Sequence, residues 1–310
     1  VQLDPASYRV VITSDDDQAL PDFTATLHRQ DPPLKALLSM GGWNPGSTTF
    51  SEMAGSNLSR AVFISSSIAV ARKYGLDGLD LDWEYPANPG QMADLGDLYG
   101  EWRAAVDREA SETGYPPLLL TSAVYYAAHL ALDGVPRSYP VGAMLRAVDF
   151  VSPMCYDFHG SWDDVTGAPA ALYDPTGGDL SASYGIRSWV EAGMPPEKVA
   201  MGMPLYGKSW ELQDPARHGI GAPGSGNGTP TYAEVVEQNE GNGAREVFDG
   251  ATVSTYSYAG RAWIGYDSPR SVAAKVEYAR RLGLGGYFFW ALSYDRNWTI
   301  SRTASTTWDS

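Results

Sequence analysis

The chain has 310 residues, 44% of them apolar, and a formal net charge of −15 from 37 Asp and Glu against 22 Lys and Arg. That length allows one large core or two modest ones, and it suits an α/β barrel carrying an insertion. An acidic surface repels polyanions, so nucleic acid and anionic membrane are excluded as expected partners while a neutral substrate is not.

The single cysteine, Cys155, allows no intrachain disulfide. The acceptor triplets at Asn57, Asn227 and Asn297 favour secretion or a vacuolar location. The chain begins at Val1 without Met or an apolar leader, as a processed or partial chain would. No apolar run is long enough to span a bilayer.

In chain order, residues 8–13 are a candidate strand, and Asp15, Asp16 and Asp17 after it read as a surface turn. A strand at 34–42 precedes a helix from Ser59, where Ala61, Ile64, Ile68 and Ala71 recur every three or four residues up to a stop at Gly75. A strand at 76–84 precedes a helix at 91–111, with Leu95, Leu98, Trp102, Ala105 and Val106 on one side. Strands at 117–124 and 148–156 come next, then a helix at 184–192 ended by Gly193 and a strand at 199–206. Residues 208–268 break the rhythm. There, 222–230 is rich in Gly, Ser, Asn and Pro, 232–239 is a short helix, and 246–248, 252–258 and 262–266 are strands of an antiparallel sheet. A helix at 271–282, between Pro269 and the stop at Gly283, leads to a last strand at 284–291.

Short apolar strands alternating with helices predict a parallel sheet. The expected fold class is α/β, a (β/α)8 TIM barrel lacking its first one or two strands. A small α+β insertion (208–268) precedes the last barrel strand, and the catalytic barrel comprises 1–207 and 269–310. A closed barrel needs eight strands. An incomplete one is expected to leave an edge with unpaired backbone through which copies could associate, although a monomer is expected.

The most informative segment is Asp77-Gly-Leu-Asp-Leu-Asp-Trp-Glu-Tyr-Pro, ending at Pro86. In a strand, Asp80, Asp82 and Glu84 share one face, while Leu79, Leu81 and Trp83 take the other. The apolar set suits the helix layer, which stacks the carboxylates along the barrel interior. Burial and mutual repulsion disfavour ionising all of them, so a proton is shared or retained. A carboxyl protonated near neutrality is what general-acid cleavage of a glycosidic bond requires. Glu84, at the strand's carboxyl end, is the natural acid; Asp82 pairs with it and Asp80 tunes the pair. A calcium loop would carry its ligands in a glycine turn, and a solvated edge would not carry Leu79, Leu81 and Trp83 on its reverse.

Asp77-x-x-Asp80-x-Asp82-x-Glu84 resembles the signature of the family 18 glycoside hydrolases, and Ser39-Met-Gly-Gly42 resembles a second signature on the preceding strand. Met154-Cys-Tyr-Asp157, Met201-Gly-Met-Pro-Leu-Tyr206 and Gly285-Gly-Tyr-Phe-Phe-Trp290 match later barrel strands. The resemblance runs from about residue 20 to the end, and the insertion and residues 161–167 look most like plant class V chitinases.

The resemblance implies an endo-chitinase that retains anomeric configuration, with no metal or cofactor and with chitin and N-acetylglucosamine oligomers as partners. In that scheme Glu84 is acid and then base. The substrate's own 2-acetamido oxygen attacks, so no enzymic nucleophile is used. Asp82 and Tyr156 hold the acetamido group, Asp157 and Met154 lie in the segment that binds sugar, and Trp290 is the aromatic floor.

Trp43, Tyr125, Tyr126, Trp162 and Tyr206 follow strand ends as sugar-stacking candidates, each equally readable as a packing residue. The four histidines lack ligand spacing. Cys155 reads as an inert core thiol. Gly41-Gly42 and Gly285-Gly286 suggest close backbone approach. A chitinase-like lectin that has lost catalysis is the alternative, marked by loss of the acid, which is present here. An endoglycosidase acting on N-glycans is disfavoured by the insertion.

Overall fold

The computed structural model describes residues 1–43 and 47–310. By internal contacts the chain forms two compact units, Val1–Val151 with Ala192–Met194, and Ser152–Glu191 with Pro195–Ser310.

The first unit begins with β1 (Gln2–Leu3) and β2 (Val10–Val11), paired antiparallel, and α1 (Ser14–His28). The acidic run expected as a surface turn is instead the first turn of α1. Thr13 and Asp16 close a reciprocal capping box, and Asp15, Asp16 and Asp17 lie where the helix dipole favours negative charge. Pro21 inside the helix masked it in the sequence.

Then follow β3 (Leu37–Gly41), α2 (Thr48–Ala54), α3 (Asn57–Lys73), β4 (Gly78–Asp82), α4 (Pro89–Thr113), β5 (Leu119–Tyr125), β6 (His129–Leu130), β7 (Arg137–Ser138), α5 (Val141–Ala147) and β8 (Phe150–Met154), which starts in this unit. Strands β3, β4 and β5 are parallel in that order. The edge of β3 expected to be open is partly met by the chain's first residues: the Val1 ammonium donates to Ser39 O at 2.9 Å, and Gly41 N donates to Val1 O at 3.0 Å. Helix α4 is punctuated at both ends, by Asn88 as N-cap with Pro89 behind it and by left-handed Gly114. Its Leu95, Leu98, Trp102 and Val106 are buried.

The second unit contains α6 (Ala182–Glu191), β9 (Ala200–Pro204), β10 (Lys208–Leu212), β11 (Gly224–Gly228), α7 (Tyr232–Asn242), β12 (Arg245–Asp249), β13 (Ser254–Ala259), β14 (Ala262–Tyr266), α8 (Pro269–Arg281), β15 (Gly286–Trp290) and α9 (Thr299–Asp309). Strands β9 and β15 pair in parallel. Residues 208–266 build an antiparallel sheet in the order β11-β10-β14-β13-β12. It has its own core, where Trp210 and its cross-strand partner Trp263 meet edge to face at 5.3 Å and Tyr256 stacks on Trp263.

The stretch 222–230, rich in Gly, Ser, Asn and Pro and not expected to hold a strand, contains strand β11. A Cβ at Gly226 would lie 2.3 Å from Ser161 Cα, so the glycines that argued against a strand are what allow this one to sit so close. Helix α9 was not expected either. Its Thr-rich sequence propagates poorly alone, but Asp295 accepts from the amides of Ile300 and Ser301, and Ile300 and Ala304 are buried.

Candidate active site

The carboxylate face of β4 takes its character from register. Ser39, Asp80 and Thr121 stand side by side on β3, β4 and β5. Ser39 Oγ donates to Asp80 Oδ2 at 2.6 Å, and Thr121 Oγ1 donates to Asp80 Oδ1 at 2.6 Å. Burial raises the Asp80 pKa, and these hydroxyl bonds only partly offset it.

Two residues on, Asp82 faces Gly41, which has no side chain to donate from. A Cβ at Gly41 would lie 2.1 Å from Asp82 O, and Gly42 N donates to that oxygen at 2.8 Å, the close approach expected of the glycine pair. Among the described residues, Asp82 Oδ1 is buried with no hydrogen-bond partner. Burial first, then the charges of Glu84 and Asp80, push the Asp82 pKa up to about 8. The reverse face carries Leu79, Leu81 and Trp83, all buried. Strand β4 ends at Asp82, so Glu84 stands in the bend that follows, half-buried.

A pH dependence follows. An unfolded aspartate titrates near pH 4. Folded Asp82 therefore keeps a proton that the unfolded chain releases between about pH 4 and about pH 8. The folded state binds more protons there, so this group's contribution to stability falls as pH rises through the window, by at most about 1.4 kcal/mol per pH unit. Asp82→Asn should flatten that slope. Urea midpoints at pH 5 and pH 8 check it; equal slopes in both proteins would exclude the assignment.

Asp77 does different work. Its carboxylate accepts from Lys35 Nζ and the Ala36 amide and pairs with His28 Nε2 at 2.8 Å. The first acid of the motif is a clamp at the amino end of the strand, apart from the stack. Trp43, after β3, is 69% exposed. Tyr125, at the end of β5, meets Tyr85 edge to face at 5.3 Å, while Tyr126 is buried and reads as packing.

In the second unit Tyr156 is half-buried and lies edge-on to Tyr206 at 6.2 Å and to Phe288 at 6.3 Å. Met154 and Tyr206 are buried. Trp290 closes β15 and is 54% exposed, which removes the core alternative for it, and Trp162 is 61% exposed. Cys155 is buried, and burial pushes its thiol up to about 12, the inert thiol expected. Asp157 has a left-handed backbone, φ 59°.

Sequence reasoning missed Lys208, whose Nζ lies 2.8 Å from Asp157 Oδ1 and over the rings of Trp162 and Tyr206. A lone lysine opening an inserted segment carries no local signal. It missed Thr121 too, although the alternation of its strand places that hydroxyl on the carboxylate face.

Residues 1–295 match the sequence profile of the Glycosyl hydrolases family 18. A class V chitinase of Medicago truncatula, CHIT5a, is 46% identical in an alignment of 315 positions that covers 99% of this chain and 82% of the relative. Among solved structures, a mutant class V chitinase from Nicotiana tobaccum in complex with NAG4 has a TM-score of 0.95 at 38% identity, covering 100% of this chain and 90% of that one. The chitinase-like agglutinin RobpsCRA from Robinia pseudoacacia has a TM-score of 0.91 at 39% identity, covering 99% and 90%.

Proposed function

Because the chain belongs to family 18 of the glycosyl hydrolases and shares the (β/α)8 TIM-barrel fold class of its solved relatives, we propose that it is an endo-chitinase. It cuts β-1,4 bonds between N-acetylglucosamine units with retention, using Glu84 as general acid and base. The observation that carries this reading is Asp82 beside Glu84, its Oδ1 buried without a hydrogen-bond donor among the described residues, a pair of carboxyls that holds a proton near neutral pH.

Glu84 gives its proton to the leaving glycosidic oxygen as the substrate's 2-acetamido oxygen closes on the anomeric carbon. Asp82 and Tyr156 hold the acetamido group while positive charge develops on it. Glu84 then takes a proton from the water that opens the ring intermediate. Asp80 tunes Asp82, and Asp157, Trp290 and Trp162 contact sugar. Residues 1–207 and 269–310 form the catalytic part and 208–268 the inserted module, in keeping with that module's separate sheet and core. The enzyme works as a monomer, outside the cytoplasm, without metal or cofactor. Among the described residues, no helix is long and apolar enough to cross a membrane.

The test is the fate of a tetramer of N-acetylglucosamine. The first products should carry the β-anomer by NMR, and the fully deacetylated tetramer, which lacks the internal nucleophile, should stay intact. Inversion, or comparable cleavage of the deacetylated tetramer, would sink the reading. The likeness to the Robinia agglutinin supports a second one: binding of the tetramer without any cleavage would establish a lectin.

Lys208→Met should weaken tetramer binding roughly fivefold, about one hydrogen bond's worth, because Asp157 loses the cation that orients it. Calorimetry on a Glu84→Gln background reads this without turnover, and unchanged affinity would remove Lys208 from the site.

A further inference from the structure

Both carbonyls that follow Glu84 are held by side chains from other segments of the first unit. Ser47 Oγ donates to Tyr85 O at 2.9 Å and in turn accepts from Trp83 Nε1. Pro86 O accepts from Arg137 Nε at 2.5 Å. Arg137 lies on β7, in the hairpin that pairs His129 with Ser138 and Leu130 with Arg137. Its side chain is only 4% exposed. A guanidinium buried to that degree is costly unless its donors are met. Asp133 Oδ1 accepts from Nη1 at 2.6 Å, and Val135 O accepts from the same nitrogen at 2.8 Å. Arg137 holds the Asp133 carboxyl below the usual carboxylate range. The same hairpin strand leads to Tyr139, whose hydroxyl accepts from Tyr125 N at 3.0 Å, and Tyr125 is the ring against Tyr85.

The acid thus stands on a short bend outside the strand ladder, and a buried, charge-assisted hydrogen bond fixes the carbonyl two residues beyond it. We propose that Arg137 is a positioning residue for Glu84. Its guanidinium, oriented by Asp133, pins Pro86 O and keeps the acid's carboxyl in place beside Asp82. The inference rests on Glu84 being the acid. A planar fork with fixed donors suits the task, because Nε reaches Pro86 O while Nη1 reaches Asp133 and Val135; a lysine ammonium has no such fixed geometry. The cost of losing it is set by positioning, since a displacement of about 1 Å at a reacting group lowers a rate roughly a hundredfold.

The experiment compares Arg137→Ala, Arg137→Lys and Glu84→Gln on the N-acetylglucosamine tetramer. In folded Arg137→Ala, kcat should fall about 10- to 100-fold with KM within about threefold of wild type, because the group touches no sugar. Millimolar guanidinium should restore part of that kcat and do nothing for wild type, a rescue that a merely structural role would not show. Arg137→Lys should lie between alanine and wild type, and it serves in place of alanine if the alanine variant does not fold. A kcat within twofold of wild type in the folded variants, or a loss that simply tracks the unfolded fraction by circular dichroism, overturns the proposal. If Glu84→Gln itself cleaves like wild type, the function assigned to Glu84 has failed and the positioning role fails with it; if only the Arg137 variants do, that role alone has failed.

Discussion

Glu84→Gln is expected to lower the rate of hydrolysis of colloidal chitin and of the N-acetylglucosamine tetramer by about 10²- to 10⁴-fold, the range typical of a lost general acid. Gln keeps the volume and polarity of Glu84 but has no proton to give to a leaving oxygen. Tetramer binding should persist within a few-fold, since the exposed indoles of Trp43, Trp162 and Trp290 are untouched. Chromatography of the products gives the rate, and calorimetry gives the affinity. A variant that keeps a tenth or more of the activity would take the acid role away from Glu84. Asp82→Asn should be damaging for a different reason. It removes a titrating partner whose pKa burial, Glu84 and Asp80 together raise to about 8, so the pH–rate profile should move as well as the rate.

Lys275→Met is expected to destabilise the fold by about 3–5 kcal/mol. Lys275 Nζ, on α8, donates to both oxygens of Asp267 at 2.7 and 2.5 Å and to Ala170 O at 2.5 Å. Both side chains are buried, and Ser271 Oγ donates to the same carboxylate. Methionine fills much of the space but leaves Asp267 as an uncompensated buried charge. For a chain of this size the melting temperature should drop by roughly 5–10 °C. Lys275→Met with Asp267→Leu should recover much of the loss, because removing both charges leaves no unpaired ion. A single variant that melts within a degree of wild type would mean that water reaches this pair.

Much of the site was legible because its signals are local. Strand alternation put Asp80 and Asp82 on one face and buried Leu79, Leu81 and Trp83 on the other, as found, while Glu84, expected on the strand, stands in the bend just past it. The family motifs marked Tyr156, Asp157 and Trp290. Turn and cap residues such as Gly75, Pro269 and Gly283 marked where helices begin and end. What stayed hidden was non-local or compositionally disguised: α1 behind an acidic run, β11 behind glycines, and Lys208 in an insertion.

The sequence by itself determined the alternation of strands and helices, the existence of the carboxylate row and the family. Periodicity and motif belong to neighbours along the chain. Only the tertiary structure decided which carboxylate is satisfied and which is not. A period of two tells which face a side chain takes but not what stands beside it on the next strand. That neighbour is set by register, which gives Asp80 the hydroxyls of Ser39 and Thr121 and gives Asp82 the bare Gly41. The same holds for Arg137 on Pro86 and Lys275 on Asp267, where packing brings a charge to its partner.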